Sequence, residues 1–195
     1  LAYAIREKKG AALLIGGFGC GKSLLAQALI SELSQEKFKI VTINNPQLDY
    51  LDLLRSIVRS LKAIELPQKK TELSADYLLE VLGQILENNL RNGNETVIIV
   101  DEAQLIEDKH VFEELRLLLN FQHQGRFLVT LILLGQPEIK QKIDDNKQLD
   151  QRIAIKYYLD ALNLEDTIGY ILHRLQVAGR EEEIFTQEAL QTIYE

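Results

Sequence analysis

The octapeptide GGFGCGKS, Gly16 to Ser23, constrains this chain more than any other stretch. It follows the apolar run Ala11 to Ile15 and precedes Leu24 to Ile30, whose leucines and alanines favour helix. Strand, glycine-rich loop and helix in that order make a phosphate-binding P-loop. The backbone must curl around a pyrophosphate with its N–H groups inward, a conformation that Cβ atoms obstruct. Gly16, Gly17, Gly19 and Gly21 supply that freedom. Lys22 can reach the β- and γ-phosphates, Ser23 can place its hydroxyl on Mg²⁺, and the helix aims its positive end at the anion. The candidate nucleotide contacts are therefore Gly16, Gly17, Phe18, Gly19, Cys20, Gly21, Lys22, Ser23 and Leu24. The expected ligands are ATP and Mg²⁺.

The second half of such a site is legible in Val97 to Glu102, an apolar run delivering two carboxylates. In an open α/β sheet the ligand sits at the C-terminal ends of the strands. Asp101 would then share Mg²⁺ with Ser23, and Glu102 would polarise an attacking water. Without the P-loop, the same acidic pair would read as a helix cap or a solvated turn. Three further residues have two readings each. Gln136, after the run Leu131 to Gly135, can read the γ-phosphate or merely turn the chain before Pro137. Asn44 can hold Glu102 in an idle rotamer or simply form a turn with Asn45 and Pro46. Arg152 can reach a neighbouring subunit's nucleotide or sit in a surface ion pair.

Around these motifs the pattern alternates. Lys39 to Ile43 reads as a second strand, Thr96 to Val100 as a third, Phe127 to Leu134 as a fourth and Ile153 to Leu159 as a fifth. Between them, helical spacing links Leu51, Leu54, Val58 and Leu61, then Leu73, Tyr77, Val81, Leu82, Ile85 and Leu86, closed by Asn92-Gly93-Asn94. Val111, Phe112, Leu115, Leu118 and Leu119 make another helix. Parallel strands require crossover helices, so the fold expected is α/β with a mostly parallel, doubly covered sheet. The rhythm stops near Asn163. Asn163 with Asp166 resembles a capping box, Ile168, Ile171, Leu172 and Leu175 form one face, Gly179 suits the stop, and Thr186 caps a further helix. Residues 1–162 are expected to form the nucleotide-binding domain and 163–195 the start of a helical appendage.

With 195 residues, 46% of them hydrophobic, the chain can bury one ordinary core. Its longest apolar run, Phe127 to Gly135, is nine residues, under half of the roughly 20 needed to span a bilayer as a helix. No membrane contact is expected of these residues. The single cysteine, Cys20, cannot form an internal disulfide, which fits a reducing compartment and a cytoplasmic location. A net charge of −7 argues against a broad electrostatic footprint for DNA. The first residues, Leu1 to Arg6, read as the inside of a helix, so the chain is expected to be a fragment.

The P-loop, VIIVDEAQ (Val97 to Gln104), FEELRLLLNF (Phe112 to Phe121), LILLGQPEI (Leu131 to Ile139), QLDQRI (Gln148 to Ile153) and YILHRLQVAG (Tyr170 to Gly179) together resemble AAA+ ATPases of the general secretion pathway protein A family, ExeA-like. They are also similar to transposition ATPases of the Mu B and TniB type. The resemblance spans nearly the whole chain. It implies a P-loop NTPase fold of AAA+ type with sheet order 5-1-4-3-2 and a helical lid, here truncated. It also implies assembly into rings or filaments with ATP or ADP at subunit interfaces. By position it makes Lys22 and Ser23 the Walker A contacts, Asp101 and Glu102 Walker B, Gln136 sensor 1 and Arg152 the arginine finger. The first expectation is Mg-dependent ATP hydrolysis serving assembly of a type II secretion apparatus, with a secretion-system protein as partner. In that family an inner-membrane tether would come from segments outside this sequence. The alternative is a DNA-associated, transposition-type ATPase; a P-loop kinase ranks third, because its acceptor needs no base such as Glu102.

Overall fold

The computed structural model describes residues 1–33, 37–44, 46–61, 74–180 and 184–195. Its centre is a five-stranded parallel sheet built from β1 (Ala11–Gly16), β2 (Phe38–Ile43), β3 (Glu95–Val100), β6 (Val129–Gly135) and β7 (Ile153–Leu159). The spatial order is β2-β3-β6-β1-β7, the expected AAA+ order read from the other edge. β1 pairs with β6 on one side and β7 on the other, and every residue from Ala11 to Gly16 is buried.

Alternation along the strands explains why both faces need helices. Leu13, Ile15, Ile98, Val100, Leu131 and Leu133 enter one core, together with side chains from α3 (Tyr50–Ser60), α4 (Ala75–Arg91), α5 (Lys109–Leu118), α6 (Glu138–Asp145) and α7 (Lys147–Asp150). Ala12, Leu14, Val97, Ile99, Ile132 and Leu134 enter the other, under α1 (Ala2–Arg6) and α2 (Lys22–Glu32). A strand buried on both faces has no polar alternation, which is why these segments read as continuous apolar runs.

Side-chain caps set the helix starts. Asp49, Ser74 and Asp108 accept bonds from the N–H groups of Asp52, Tyr77 and His110, supplying acceptors for orphan donors of the first turn. The expected start of α4 at Leu73 lies outside the described residues, as does Asn45. α3 buries Leu53, Leu54, Ile57 and Val58, while Leu51 is exposed, so its buried face is rotated from the one the spacing suggested.

The expected fourth strand is two pieces. Arg126–Phe127 is β5, paired antiparallel with β4 (Gln122–His123), and the sheet strand starts only at Val129. Between β4 and β5, Gln124 and Gly125 both have positive φ, the backbone of a tight two-residue hairpin.

By its internal contacts the chain divides into two compact units, Leu1–Leu159 and Asp160–Glu195. The second holds α8 (Leu164–Val177) and α9 (Gln187–Tyr194). Asn163 accepts from the N–H of Asp166 at 2.9 Å, Thr186 from that of Ala189, and Gly179 has φ +80. Ile168, Ile171 and Leu175 are half-buried, whereas Leu172, at the margin of the same face, is exposed. Among the described residues no helix is long and apolar enough to cross a membrane.

Candidate nucleotide site

β1 ends at Gly16, the chain turns through Gly17 to Gly21, and α2 begins at Lys22. Gly21 is the N-cap at φ +91, a left-handed conformation that costs any L-residue about 1–2 kcal/mol. No side chain caps this helix, so the N–H groups of its first turn are left to an external acceptor. A Cβ on Gly16 would lie 2.9 Å from the Leu159 carbonyl oxygen and 3.4 Å from Cγ of Lys22, so only glycine lets the loop leave the sheet here. Lys22 is 5% exposed, and its Nζ donates to the carbonyl oxygens of Gly16 and Gly17, each at 2.9 Å. An ammonium has three donors, so one remains for a ligand oxygen. Phe18 stands 91% exposed in the loop, Leu24 is exposed on α2, and Cys20 is half-buried.

The neighbouring strands bring the acidic pair to the same edge. β3 ends at Val100, and the N–H of Asp101 donates to the carbonyl oxygen of Ile43, at the end of β2, at 2.8 Å. Ser23 Oγ donates to Asp101 Oδ2 at 2.6 Å across 78 residues of sequence, and Asp101 Oδ1 accepts from the N–H of Glu102. A hydroxyl and a carboxylate in contact form the hard oxygen donor set that suits Mg²⁺. Among the described residues no group of three or more His, Cys, Asp or Glu side chains is arranged to hold a metal. A cation here would therefore depend on Ser23, Asp101 and oxygens of the substrate.

Glu102 is held at φ +52, ψ +37, left-handed backbone that non-glycine residues adopt at a cost. Its carboxylate accepts a bond from Gln104 Nε2, and Oε2 also lies 3.4 Å from Gln136 Nε2. Gln136 follows β6, so the structure brings it to Glu102 as well as to the strand end. Asn44 does not join this group: it is exposed at the end of β2, and among the described residues no hydrogen bond links it to Glu102. Arg152 lies at the other end of the sheet. It precedes β7 at the register where Ile153 pairs Ala11, roughly 20 Å of strand from Gly16 at about 3.3 Å per residue. Its guanidinium stacks on the Phe127 ring at 5.8 Å from the centroid.

Two residues not singled out from the sequence belong to the cluster. Gln104 sits on the short 3-10 turn Ala103–Leu105 directly after Glu102, and its Oε1 accepts from the N–H of Gln136 at 3.0 Å. Lys142 of α6 donates to the carbonyl oxygens of Gln104 and Ile106, at 2.6 and 2.7 Å. The only sequence signal for Gln104 was its place two residues after the acidic pair. Lys142 gave none.

Comparison with known proteins decides the family. The model of the AAA domain family matches residues 5–143, well over half the chain and including both halves of the site. The chain belongs to the AAA domain family. It is an AAA+ ATPase, and family membership carries binding of ATP and Mg²⁺ in general. The whole chain is 37% identical over 196 residues to general secretion pathway protein A of Aeromonas hydrophila, and it spans 35% of that relative's length. The AAA+ fold recurs in the Aeropyrum pernix ORC2 protein in its ADPNP–ADP complexes. The TM-score there is 0.68 at 16% identity, over 90% of this chain and 48% of that one. It recurs too in the Aeropyrum pernix ORC1 protein in complex with DNA, with a TM-score of 0.70 at 15% identity over 90% and 47% of the two chains.

Proposed function

We propose that this AAA+ domain binds Mg-ATP at the loop Gly16–Ser23 and hydrolyses it with Glu102 as general base, in a site completed by Arg152 of a second subunit. The observation that carries this reading is the 2.6 Å contact between Ser23 and Asp101, which puts the loop beside the strand that delivers Glu102. The free N–H groups of α2 and the remaining donor of Lys22 hold the β- and γ-phosphates. Ser23 and Asp101 hold Mg²⁺, which when bound neutralises charge on the phosphate oxygens. Glu102 takes a proton from water as the water oxygen bonds to the γ-phosphorus. The bond from that phosphorus to the β–γ bridging oxygen breaks, and ADP and phosphate leave. Gln136, beside Glu102, donates to the γ-phosphate in this reading.

Arg152 is too far along the sheet to serve its own nucleotide, which supports a role in a neighbour's site. There a guanidinium would stabilise charge on the transferring phosphoryl group. Under this reading residues 163–195 begin the lid.

Glu102→Gln tests the base. ATP and Mg²⁺ should still bind, while turnover falls by roughly 10²-fold or more, the scale of general base catalysis. Equal turnover would remove Glu102 from the chemistry, and turnover without any added acceptor separates hydrolysis from phosphoryl transfer to a kinase substrate.

Two clients fit such a switch. The DNA-associated reading, second from the sequence, has the broader support, because relatives of this fold include an ORC1 protein in complex with DNA. The secretion-apparatus reading is supported by the 37% identical relative. DNA binding that requires ATP and weakens steeply with salt favours the first, since phosphate contacts release counterions. Its absence from the assembled Glu102→Gln protein leaves the second.

A further inference from the structure

Glu102 is one residue from a proposed metal ligand, yet its side chain is steered from elsewhere. The Gln104 amide spans two groups that lie 34 residues apart. Its Nε2 donates to the Glu102 carboxylate, and its Oε1 accepts from the Gln136 backbone N–H at 3.0 Å. The turn carrying it is fixed in turn, because Lys142 Nζ holds the Gln104 and Ile106 carbonyl oxygens. Both amide donors near Glu102, from Gln104 and Gln136, fall on Oε2. Among the described residues Oε1 accepts no hydrogen bond. One oxygen is gripped and the other is left to accept a proton.

We infer that Gln104 is a positioning residue for hydrolysis: it clamps Glu102 Oε2 to the Gln136 backbone, so that the base and the group facing the γ-phosphate move as one unit. This rests on Glu102 being the base. Lys142 anchors the clamp to α6, which begins directly after Gln136 and Pro137. Displacement of Gln136 by a triphosphate is thereby passed to Glu102 through the Gln104 side chain.

The contact and its consequence are tested separately. Without nucleotide, Gln104→Glu sets two carboxylates face to face and should lower Tm by about 2–4 °C. Adding Glu102→Gln exchanges donor and acceptor, re-forms the bond, and should restore Tm. With Mg-ATP, Gln104→Ala should reduce kcat about tenfold while KM and the affinity for a fluorescent ATP analogue stay within about twofold, because the loop is untouched. In a Glu102→Gln background the same substitution should reduce turnover no further. Failure of the exchanged pair to recover Tm overturns the contact, and an unchanged kcat in Gln104→Ala overturns the positioning role. If Glu102→Gln itself hydrolyses ATP at the wild-type rate, the assignment of the base falls, and the role of Gln104 with it. If Glu102→Gln is inactive and Gln104→Ala is fully active, only the inference about Gln104 falls.

Discussion

Lys22 concentrates the charge of the site in one buried side chain. Two of its donors neutralise carbonyl oxygens of its own loop. Lys22→Ala therefore removes the cation and leaves those carbonyls without a partner. Triphosphate binding should weaken by about 1.5–3 kcal/mol, the scale of a charge-assisted hydrogen bond. Titration with a fluorescent ATP analogue measures it, and unchanged affinity would contradict the loop assignment. Cys20 reports on the same loop from inside it, so maleimide labelling should slow when Mg-ATP is bound; equal rates would place the thiol outside the contact. The contiguous motifs were readable from the sequence because each encodes its own local geometry. Gln104 and Lys142 were not, because their partners arrive from 32 and 38 residues away and only the folded sheet edge brings them together. The same edge leaves Asn44 exposed, in keeping with the turn beside Pro46 rather than with a hold on Glu102.

Packing of α5 against the sheet places one carboxylate poorly. Glu114 Oε2 is buried and has no hydrogen-bond donor among the described residues. Burial, and then the adjacent Glu113 charge, push the Glu114 carboxyl above its ordinary value. A carboxyl raised in the folded state binds more protons there than in the unfolded chain. Its stabilisation is complete below the unfolded value and is lost as pH rises through the folded one. Glu114→Gln should accordingly raise Tm by about 2 °C near pH 7, and the gain should shrink as the solution is acidified towards the carboxylate range. A gain that is constant with pH would show that ionisation is not its source. At this scale the central strands β1, β3 and β6 were legible because double burial demands uninterrupted apolar runs. The β4–β5 hairpin was not, because two-residue strands carry no periodicity, and Phe127 and Leu128 blended into the apolar run of β6. For α3, spacing alone left the buried face ambiguous by one residue, and packing put Leu53 and Ile57 beside Leu54 and Val58 in the core while Leu51 stayed exposed and Leu61 packed only partly buried.

The sheet order has a consequence for the whole molecule. With β7 beyond β1, and Arg152 at the opening end of β7, one subunit holds Glu102 and the Arg152 guanidinium at opposite ends of the strands. That order was legible only through resemblance, since alternating strands and helices fix parallel pairing but not which strands are neighbours. Hydrolysis completed in trans should be negligible in dilute monomer and rise more than linearly with protein concentration. Constant turnover per subunit over a concentration range in which the protein assembles would contradict it. The most direct test is the ATPase rate of an equimolar mixture of Arg152→Ala and Glu102→Gln. Each variant alone should bind ATP and hydrolyse it poorly, Arg152→Ala by about 10³-fold less than the wild type. The mixture should regain turnover, because an intact Glu102 then meets an intact Arg152 across some interfaces. A mixture as inactive as its components, under conditions where the unsubstituted protein assembles and hydrolyses ATP, would show that the site is not shared between subunits.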